Sequence, residues 1–148
     1  SGIRQRRKHI LMISAETQVR VRYGETDQMG YVYYGHYATY YEVGRVELFR
    51  SLGFSYRELE ESGIQMPVTQ MRCKYLKPAT YDEVVRIVTS IREKPTARIT
   101  FYYDLYNPED ELINTGETTL VFIDTKRERP IKVPDWFLEA VQPYFDAD

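Results

Sequence analysis

The pattern of apolar and polar positions divides the chain into one helical stretch and several strand-like stretches. Residues 17–23 alternate, with Val19, Val21 and Tyr23 on one side, and this period of two predicts a half-buried strand. From about residue 35 to residue 52 the apolar positions recur every three or four residues, which predicts a long helix. Additional apolar residues extend around it, so we expect a helix that is buried on more than one side.

Four more strand-like segments follow, at residues 67–77, 83–92, 98–106 and 112–123. The connections between them are short, so the strands are expected to be antiparallel neighbours, because a parallel crossover needs about a dozen residues. A short helix is predicted over residues 134–145, where Pro134 and Asp135 suit the first turn. The pattern predicts an α+β fold: one curved antiparallel sheet of about five strands wrapped around a long central helix.

The composition fits one globular domain. Of the 148 residues, 43% are hydrophobic and 28% are charged, which is ordinary for a folded domain. The formal net charge of -2 gives no electrostatic case for nucleic acid, and no apolar run approaches the ~20 residues that cross a bilayer. Cys73 is the only cysteine, which suits a reducing cytoplasm. With no histidine close to it in sequence, a structural role for this thiol is favoured over a nucleophilic one.

The first eleven residues differ from the rest of the chain. They include Arg4, Arg6, Arg7 and Lys8 but lack the apolar centre of a secretory signal. Met12 follows them as a candidate natural start. We therefore expect residues 1–11 to be a basic extension, disordered or derived from cloning, and residues 12–148 to form the domain.

The candidate chemistry lies between the first strand and the long helix. Asp27 falls in the polar turn of residues 24–30, and Tyr34 falls where the helix begins. The first N–H groups of a helix lack partners within it and carry partial positive charge, so they can polarise a carbonyl group. Asp27 can then act as a general base on water or as a nucleophile. On spacing alone, an Asx turn or a helix cap is the more common role for such an aspartate.

The residues around Asp27 form a longer motif. It consists of Arg22-Tyr23-x-Glu25-Thr26-Asp27-x-Met29-Gly30-x-Val32-x-Tyr34-Gly35-x-Tyr37, then Tyr40-Tyr41-Glu42 and Arg45. Together with Lys77-Pro78-Ala79 and Asp82, this motif resembles the 4-hydroxybenzoyl-CoA thioesterase family of hot-dog-fold proteins, over about residues 15–145. The resemblance implies a hot-dog fold and hydrolysis of acyl thioesters on coenzyme A or acyl carrier protein, and it favours a catalytic role for Asp27.

By motif position, the resemblance makes Asp27 the catalytic carboxylate and the backbone N–H of Tyr34 the group that polarises the thioester carbonyl. It implies a homodimer or a tetramer of dimers, with the site between subunits. No metal or redox cofactor is implied, because coenzyme A or phosphopantetheine arrives as part of the substrate.

Three further residues are candidates for substrate binding: Gly35, His36 and Glu42. Gly35 would let the backbone approach a ligand closely. His36 could tune the site, but a capping or surface-facing position is favoured for a residue in the first helical turn. Glu42 stands where some family members contact the acyl group, and an ion pair with Arg45 is the alternative. Glu25 is expected to hydrogen-bond backbone or solvent.

Several cations are candidates for the phosphates of coenzyme A, although most are expected to be solvated. They are Arg72, Lys74, Lys77, Arg92, Lys94 and Arg98.

Two other functions occur on this fold according to the resemblance. Related hydratases place a histidine five residues after the catalytic aspartate, but Val32 stands there, and His9 and His36 are the only histidines. A non-catalytic acyl-thioester-binding protein would not need Asp27 at the motif position. Thioester hydrolysis is therefore the favoured prediction.

Overall fold

In the computed structural model, which describes residues 2–7 and 10–146, one antiparallel sheet packs against one long helix. The strands in those residues are β1 Gly2–Arg7, β2 Ile10–Arg20, β3 Ile64–Gln65, β4 Val68–Tyr75, β5 Val84–Ile91, β6 Arg98–Tyr106, β7 Leu112–Asp124 and β8 Arg129–Ile131. The α-helices are α1 Tyr37–Ser51, α2 Tyr56–Glu61 and α3 Asp135–Val141. Short 3-10 helices cover Tyr23–Glu25, Tyr34–His36 and Gln142–Tyr144.

The sheet follows the order β1-β2-β5-β6-β7, and β4 continues it beyond β7. The two short strands β3 and β8 pair with the last residues of β7. All of these pairings are antiparallel. The five strands predicted from the sequence correspond to β2, β4, β5, β6 and β7, so the predicted α+β architecture is confirmed.

Helix α1 lies on the inner face of the sheet because one of its sides is almost entirely apolar. Tyr37, Tyr40, Tyr41, Leu48 and Phe49 on that side are buried. The Tyr41 ring stacks on Tyr103 of β6 with centroids 4.2 Å apart, a geometry that adds about 0.5–1.5 kcal/mol to the burial of two aromatic rings. This packing fixes where the first turn of α1 lies relative to the sheet.

The prediction that α1 is buried on more than one side is not met within this chain. Ala38 is exposed, and Val43 and Val46 are half-buried. The first predicted strand also differs in extent, since β2 ends at Arg20 and Tyr23 is 78% exposed in a 3-10 helix. The chain turns away from the sheet there because the loop that follows must reach the start of α1.

The N-terminal segment also differs from its expected place outside the fold. Residues 2–7 form β1, which pairs with residues 10–15 at the edge of the sheet. A basic composition does not prevent strand pairing, because the hydrogen bonds of a ladder come from the backbone. Residues 1, 8 and 9 lie outside the described residues.

Candidate active site

The loop between β2 and α1 is a small antiparallel hairpin that carries Asp27. Thr26 and Val32 bridge across it, and the Asp27 N–H donates to the Tyr31 carbonyl over 2.8 Å. Gly30 makes the reversal possible with a φ of 80°, a value that favours glycine. A second bridge, Tyr31 to Thr80, ties the hairpin to the segment between β4 and β5.

The two carboxylate oxygens of Asp27 have different surroundings. Oδ1 accepts hydrogen bonds from the N–H groups of Met29 at 2.9 Å and Tyr31 at 3.3 Å. Oδ2 has no hydrogen-bond partner among the described residues, and the residue is exposed. One oxygen therefore makes the Asx turn expected on spacing alone, and the other remains available to a substrate or water.

The backbone N–H of Tyr34 lies at the first position of the 3-10 helix that leads into α1. Of the N–H groups around it, that of Tyr33 donates to the Glu25 carbonyl and that of His36 to the Tyr33 carbonyl, each over 2.8 Å. In the described part of the chain, the N–H of Tyr34 has no acceptor. This donor can bind a carbonyl oxygen from outside the chain.

Asp27 and Tyr34 line the same cleft, which has a volume of about 380 Å³. The other lining residues are Tyr31, Val32, Tyr37, Tyr75, Leu76, Lys77 and Pro78. Burial, together with the nearby Cys73 thiol, raises the pKa of Tyr37 to about 12, so its phenol is neutral near pH 7. The cleft thus combines a carboxylate, a backbone donor and a wall of aromatic rings.

The residues from the end of β4 were not predicted as part of the site. Tyr75, Leu76 and Pro78 are more than forty positions after Asp27, and only the folding of β4 alongside the loop brings them to it. The 14 tyrosines of the chain indicated that aromatic rings would be important, but not which of them would meet.

The three substrate-binding candidates do not line the cleft. Gly35 follows Tyr34 directly, and an added Cβ there would lie 2.7 Å from the Tyr33 ring. His36 is half-buried, and its ring meets the edge of Tyr33 with centroids 6.4 Å apart. Glu42 is exposed on α1 and makes no ion pair among the described residues. In this structure Gly35 and His36 serve the packing of Tyr33.

The alternative ion pair between Glu42 and Arg45 is not formed. The buried Arg45 guanidinium instead donates to the Tyr103 hydroxyl at 2.9 Å and to the Tyr56 hydroxyl at 3.2 Å. Cys73 is half-buried, with its sulfur 3.1 Å from the Tyr41 hydroxyl and 3.3 Å from the Asn114 amide nitrogen. These contacts place Arg45 and Cys73 in structural positions between α1 and the sheet.

Glu25 has no access to the cleft but supports the loop from inside. Its carboxylate is buried and accepts hydrogen bonds from the Arg22 N–H, the Arg22 guanidinium and the Tyr40 hydroxyl. Burial alone would raise the pKa of this carboxyl group, but those hydrogen bonds and the Arg22 charge hold it below 4.5. Glu25 is therefore an ionised residue inside the loop.

Of the six candidate phosphate-binding cations, Lys77 lines the cleft, and it pairs with Glu111 at 2.5 Å. Three others make surface ion pairs, Arg72 with Glu117, Arg92 with Asp104 and Lys94 with Asp146.

Two features are absent from the described residues, a candidate metal cluster and a membrane-spanning helix. No group of three or more His, Cys, Asp or Glu residues in that part of the chain could hold a metal ion. No helix there is both long and apolar enough to cross a membrane.

Comparison with known proteins agrees with this fold and cleft. The profile of the Thioesterase-like superfamily matches residues 21–141. The protein YneP of Bacillus subtilis (strain 168) is 35% identical over 126 residues, which cover 82% of this chain and 91% of YneP. The acyl-CoA thioester hydrolase YbgC of Escherichia coli O157:H7 is 32% identical over 116 residues, or 78% and 87% of the two chains.

Solved structures show the same architecture. A DHNA-CoA thioesterase from Staphylococcus aureus superposes with a TM-score of 0.83 at 37% identity, covering 88% of this chain and 89% of its own. A 4-hydroxybenzoyl CoA thioesterase shares the fold with a TM-score of 0.76 at 24% identity, covering 86% and 97%. Fold and cleft together define a hot-dog acyl thioesterase. The chain belongs to the Thioesterase-like superfamily, which confirms the resemblance found in its motif.

Proposed function

We propose that this thioesterase hydrolyses its substrate with Asp27 as general base or nucleophile and with the Tyr34 N–H as the donor that polarises the carbonyl. The observation that carries the proposal is the free Oδ2 of Asp27 in the same cleft as the free N–H of Tyr34. An acyl oxygen that accepts from Tyr34 would become more electrophilic, and the same donor would stabilise the oxyanion that forms on attack.

The electrons and protons balance without a cofactor. In the general-base route, water attacks the carbonyl carbon as Asp27 takes its proton, and the tetrahedral oxyanion then collapses to break the C–S bond. The proton returns from Asp27 to the leaving thiolate. In the nucleophilic route, Oδ2 attacks the carbonyl carbon and the C–S bond breaks to release the thiolate. Water then cleaves the resulting anhydride, which frees the acid and restores the Asp27 carboxylate, and the proton from that water goes to the thiolate. An acyl-enzyme captured by hydroxylamine at Asp27 would assign the second route.

Asp27→Asn tests the assignment with little structural change. The amide oxygen of asparagine can still accept from Met29 and Tyr31, so the turn is kept while the basic oxygen is lost. We expect kcat to fall by about 10²–10⁴-fold, the range for loss of general-base catalysis, with unchanged thermal unfolding. Turnover close to that of the unmodified protein would contradict the role of Asp27.

We further propose an aromatic acyl group carried by coenzyme A. Four tyrosine rings, Tyr31, Tyr34, Tyr37 and Tyr75, line the cleft, and flat rings pack well on aromatic walls. The 37% identical DHNA-CoA thioesterase and the acyl-CoA hydrolase YbgC support this choice over acyl carrier protein. A panel of aromatic and straight-chain acyl-CoA esters beside one acyl-carrier-protein substrate would decide both points.

We also propose that a second copy of the chain completes the cleft along β4. This strand pairs with β7 on one side and is exposed along nearly its whole length. Its apolar residues Met71 and Tyr75 are 43% and 50% exposed, an unusual arrangement for an unpaired sheet edge. Because Tyr75 also lines the cleft, a partner on β4 would lie beside the site.

A further inference from the structure

One residue connects both halves of the proposed site to helix α1. The Glu25 carboxylate accepts from the Tyr40 hydroxyl over 2.8 Å and from the Arg22 backbone N–H over 2.9 Å. Tyr40 is buried in the first turns of α1 and only 2% exposed. The side chain of Glu25 therefore fastens the beginning of the loop to the helix.

The backbone of the same residue fastens the end of the loop. The Glu25 carbonyl accepts from the Tyr33 N–H over 2.8 Å. Tyr33 directly precedes Tyr34, whose N–H is the proposed oxyanion donor, and Asp27 lies two positions after Glu25. A shift of Glu25 would thus move the carboxylate and the donor relative to each other.

We propose that Glu25 is a positioning residue that, through Tyr40, sets the distance between the Asp27 carboxylate and the Tyr34 N–H. This inference rests on the proposed function. Glu25 itself does not line the cleft; the residue is 6% exposed, and its carboxylate is already surrounded by donors. It cannot contact the thioester, so its effect must pass through the geometry of the loop.

The chain offers a matched pair of substitutions. Tyr40 and Tyr41 are adjacent on α1, both are buried, and both hydroxyl groups are hydrogen-bonded. The Tyr40 hydroxyl bonds to the loop, whereas the Tyr41 hydroxyl bonds to Asn114 and Cys73 on the sheet. Tyr40→Phe and Tyr41→Phe each remove one buried hydroxyl, but only the first releases Glu25.

We expect Tyr40→Phe to lower kcat by about 10- to 100-fold with KM little changed, since a misplacement of about 1 Å can cost about 100-fold in rate. Tyr41→Phe should lower the unfolding temperature but leave the kcat of the folded protein unchanged. If Tyr41→Phe fails to fold, Tyr56→Phe, which removes a hydroxyl bonded to Arg45, replaces it as control.

Glu25→Gln, alone and combined with Tyr40→Phe in a double variant, shows whether Tyr40 acts through Glu25. If it does, the loss in the double variant is smaller than the product of the two single losses, because both break one interaction. Independent losses, or equal losses of kcat in Tyr40→Phe and Tyr41→Phe, would overturn the proposal and leave Glu25 a purely structural role.

Hydrogen exchange gives a readout that needs no turnover. The amides of residues 31–37 should exchange faster in Tyr40→Phe and Glu25→Gln than in Tyr41→Phe, measured on the folded proteins. Equal exchange in all variants would overturn the anchoring role even with an inactive protein. Fast exchange combined with an active Asp27→Asn variant would instead retain the anchor and reject the proposed chemistry.

Discussion

At the scale of single residues, the site depends on small polar groups that are left free. Asp27 uses one oxygen to hold its own turn and keeps the other open, and Tyr34 contributes its backbone rather than its phenol. Tyr34 as a residue is 64% exposed, and its ring belongs to the aromatic wall of the cleft. The proposed chemistry and the local folding thus involve the same two residues, so substitutions must be chosen to separate them.

Tyr75→Leu tests the aromatic wall. The Tyr75 ring meets the buried Tyr37 edge-on with centroids 5.4 Å apart, and a leucine would keep an apolar surface but remove the ring. We expect kcat/KM for an aromatic acyl-CoA to fall about 2- to 12-fold, which corresponds to the ~0.5–1.5 kcal/mol of an aromatic pair, while kcat/KM for a straight-chain substrate changes less.

Tyr81→Leu is the control for that comparison. Tyr81 is 56% exposed and packs against Tyr23, with centroids 5.8 Å apart, and it is not among the residues that line the cleft. This variant should hydrolyse both substrates like the unmodified protein. If Tyr75→Leu lowers kcat/KM equally for the aromatic and the straight-chain substrate, the aromatic wall does not select for aromatic groups.

At the scale of elements, the site is held by the close approach of α1 to the sheet. Gly44 allows this contact, because an added Cβ would lie 2.1 Å from Thr89 Oγ1 and 3.1 Å from Ile87 Cγ2 of β5. Glycine is normally unfavourable within a helix by about 1 kcal/mol relative to alanine. Glycine at this position therefore lowers the helix propensity of α1 but allows the helix to pack closely against β5.

Gly44→Ala should therefore destabilise the protein by about 1–3 kcal/mol, the usual cost of overpacking. This loss is expected although alanine has a higher helix propensity than glycine. Thr89 Oγ1 is buried without a hydrogen-bond partner among the described residues, so Thr89→Ala alone should cost little. The double variant should recover part of the loss, because it removes the clashing hydroxyl. Chemical denaturation measures the free energy of unfolding of all three variants. A stabilising effect of Gly44→Ala would contradict the close contact.

At the scale of the whole molecule, the sheet of the single chain has two edge strands, β1 and β4. Of these, β4 has a free backbone edge and exposed apolar side chains, and its Tyr75 lines the cleft. The partly exposed outer side of α1 adds apolar surface beyond what the sheet covers. Both features are consistent with a protein whose proposed site is completed on association.

Met71→Lys on β4 should convert a dimer into monomers and lower turnover with them, since a buried unpaired charge at an interface is costly. Val88→Lys adds the same charge to the outer face of β5, where the side chain is half-buried, and should leave a β4 dimer intact. Analytical ultracentrifugation with parallel assays checks both. An active monomer in the unmodified protein would contradict the proposed assembly.

The sequence determined a large part of this protein on its own. Period-two alternation located β4, β5, β6 and β7 within a few residues, because the period follows directly from backbone geometry. Of these strands, β5, β6 and β7 pack one face on the core. The period of about 3.6 located α1, and the motif around Asp27 identified the family. Those signals are local along the chain, so one amino-acid sequence is enough to detect them.

Only the tertiary structure decided which distant residues share the cleft and which candidates stay outside it. Tyr75 and Lys77 line the same cleft as Asp27 because the end of β4 lies beside the loop, while Glu42 is exposed on α1 and does not line the cleft. The burial of Glu25 likewise depends on Tyr40 approaching the loop from α1. Such contacts follow from packing between elements, for which sequence spacing carries no local signal.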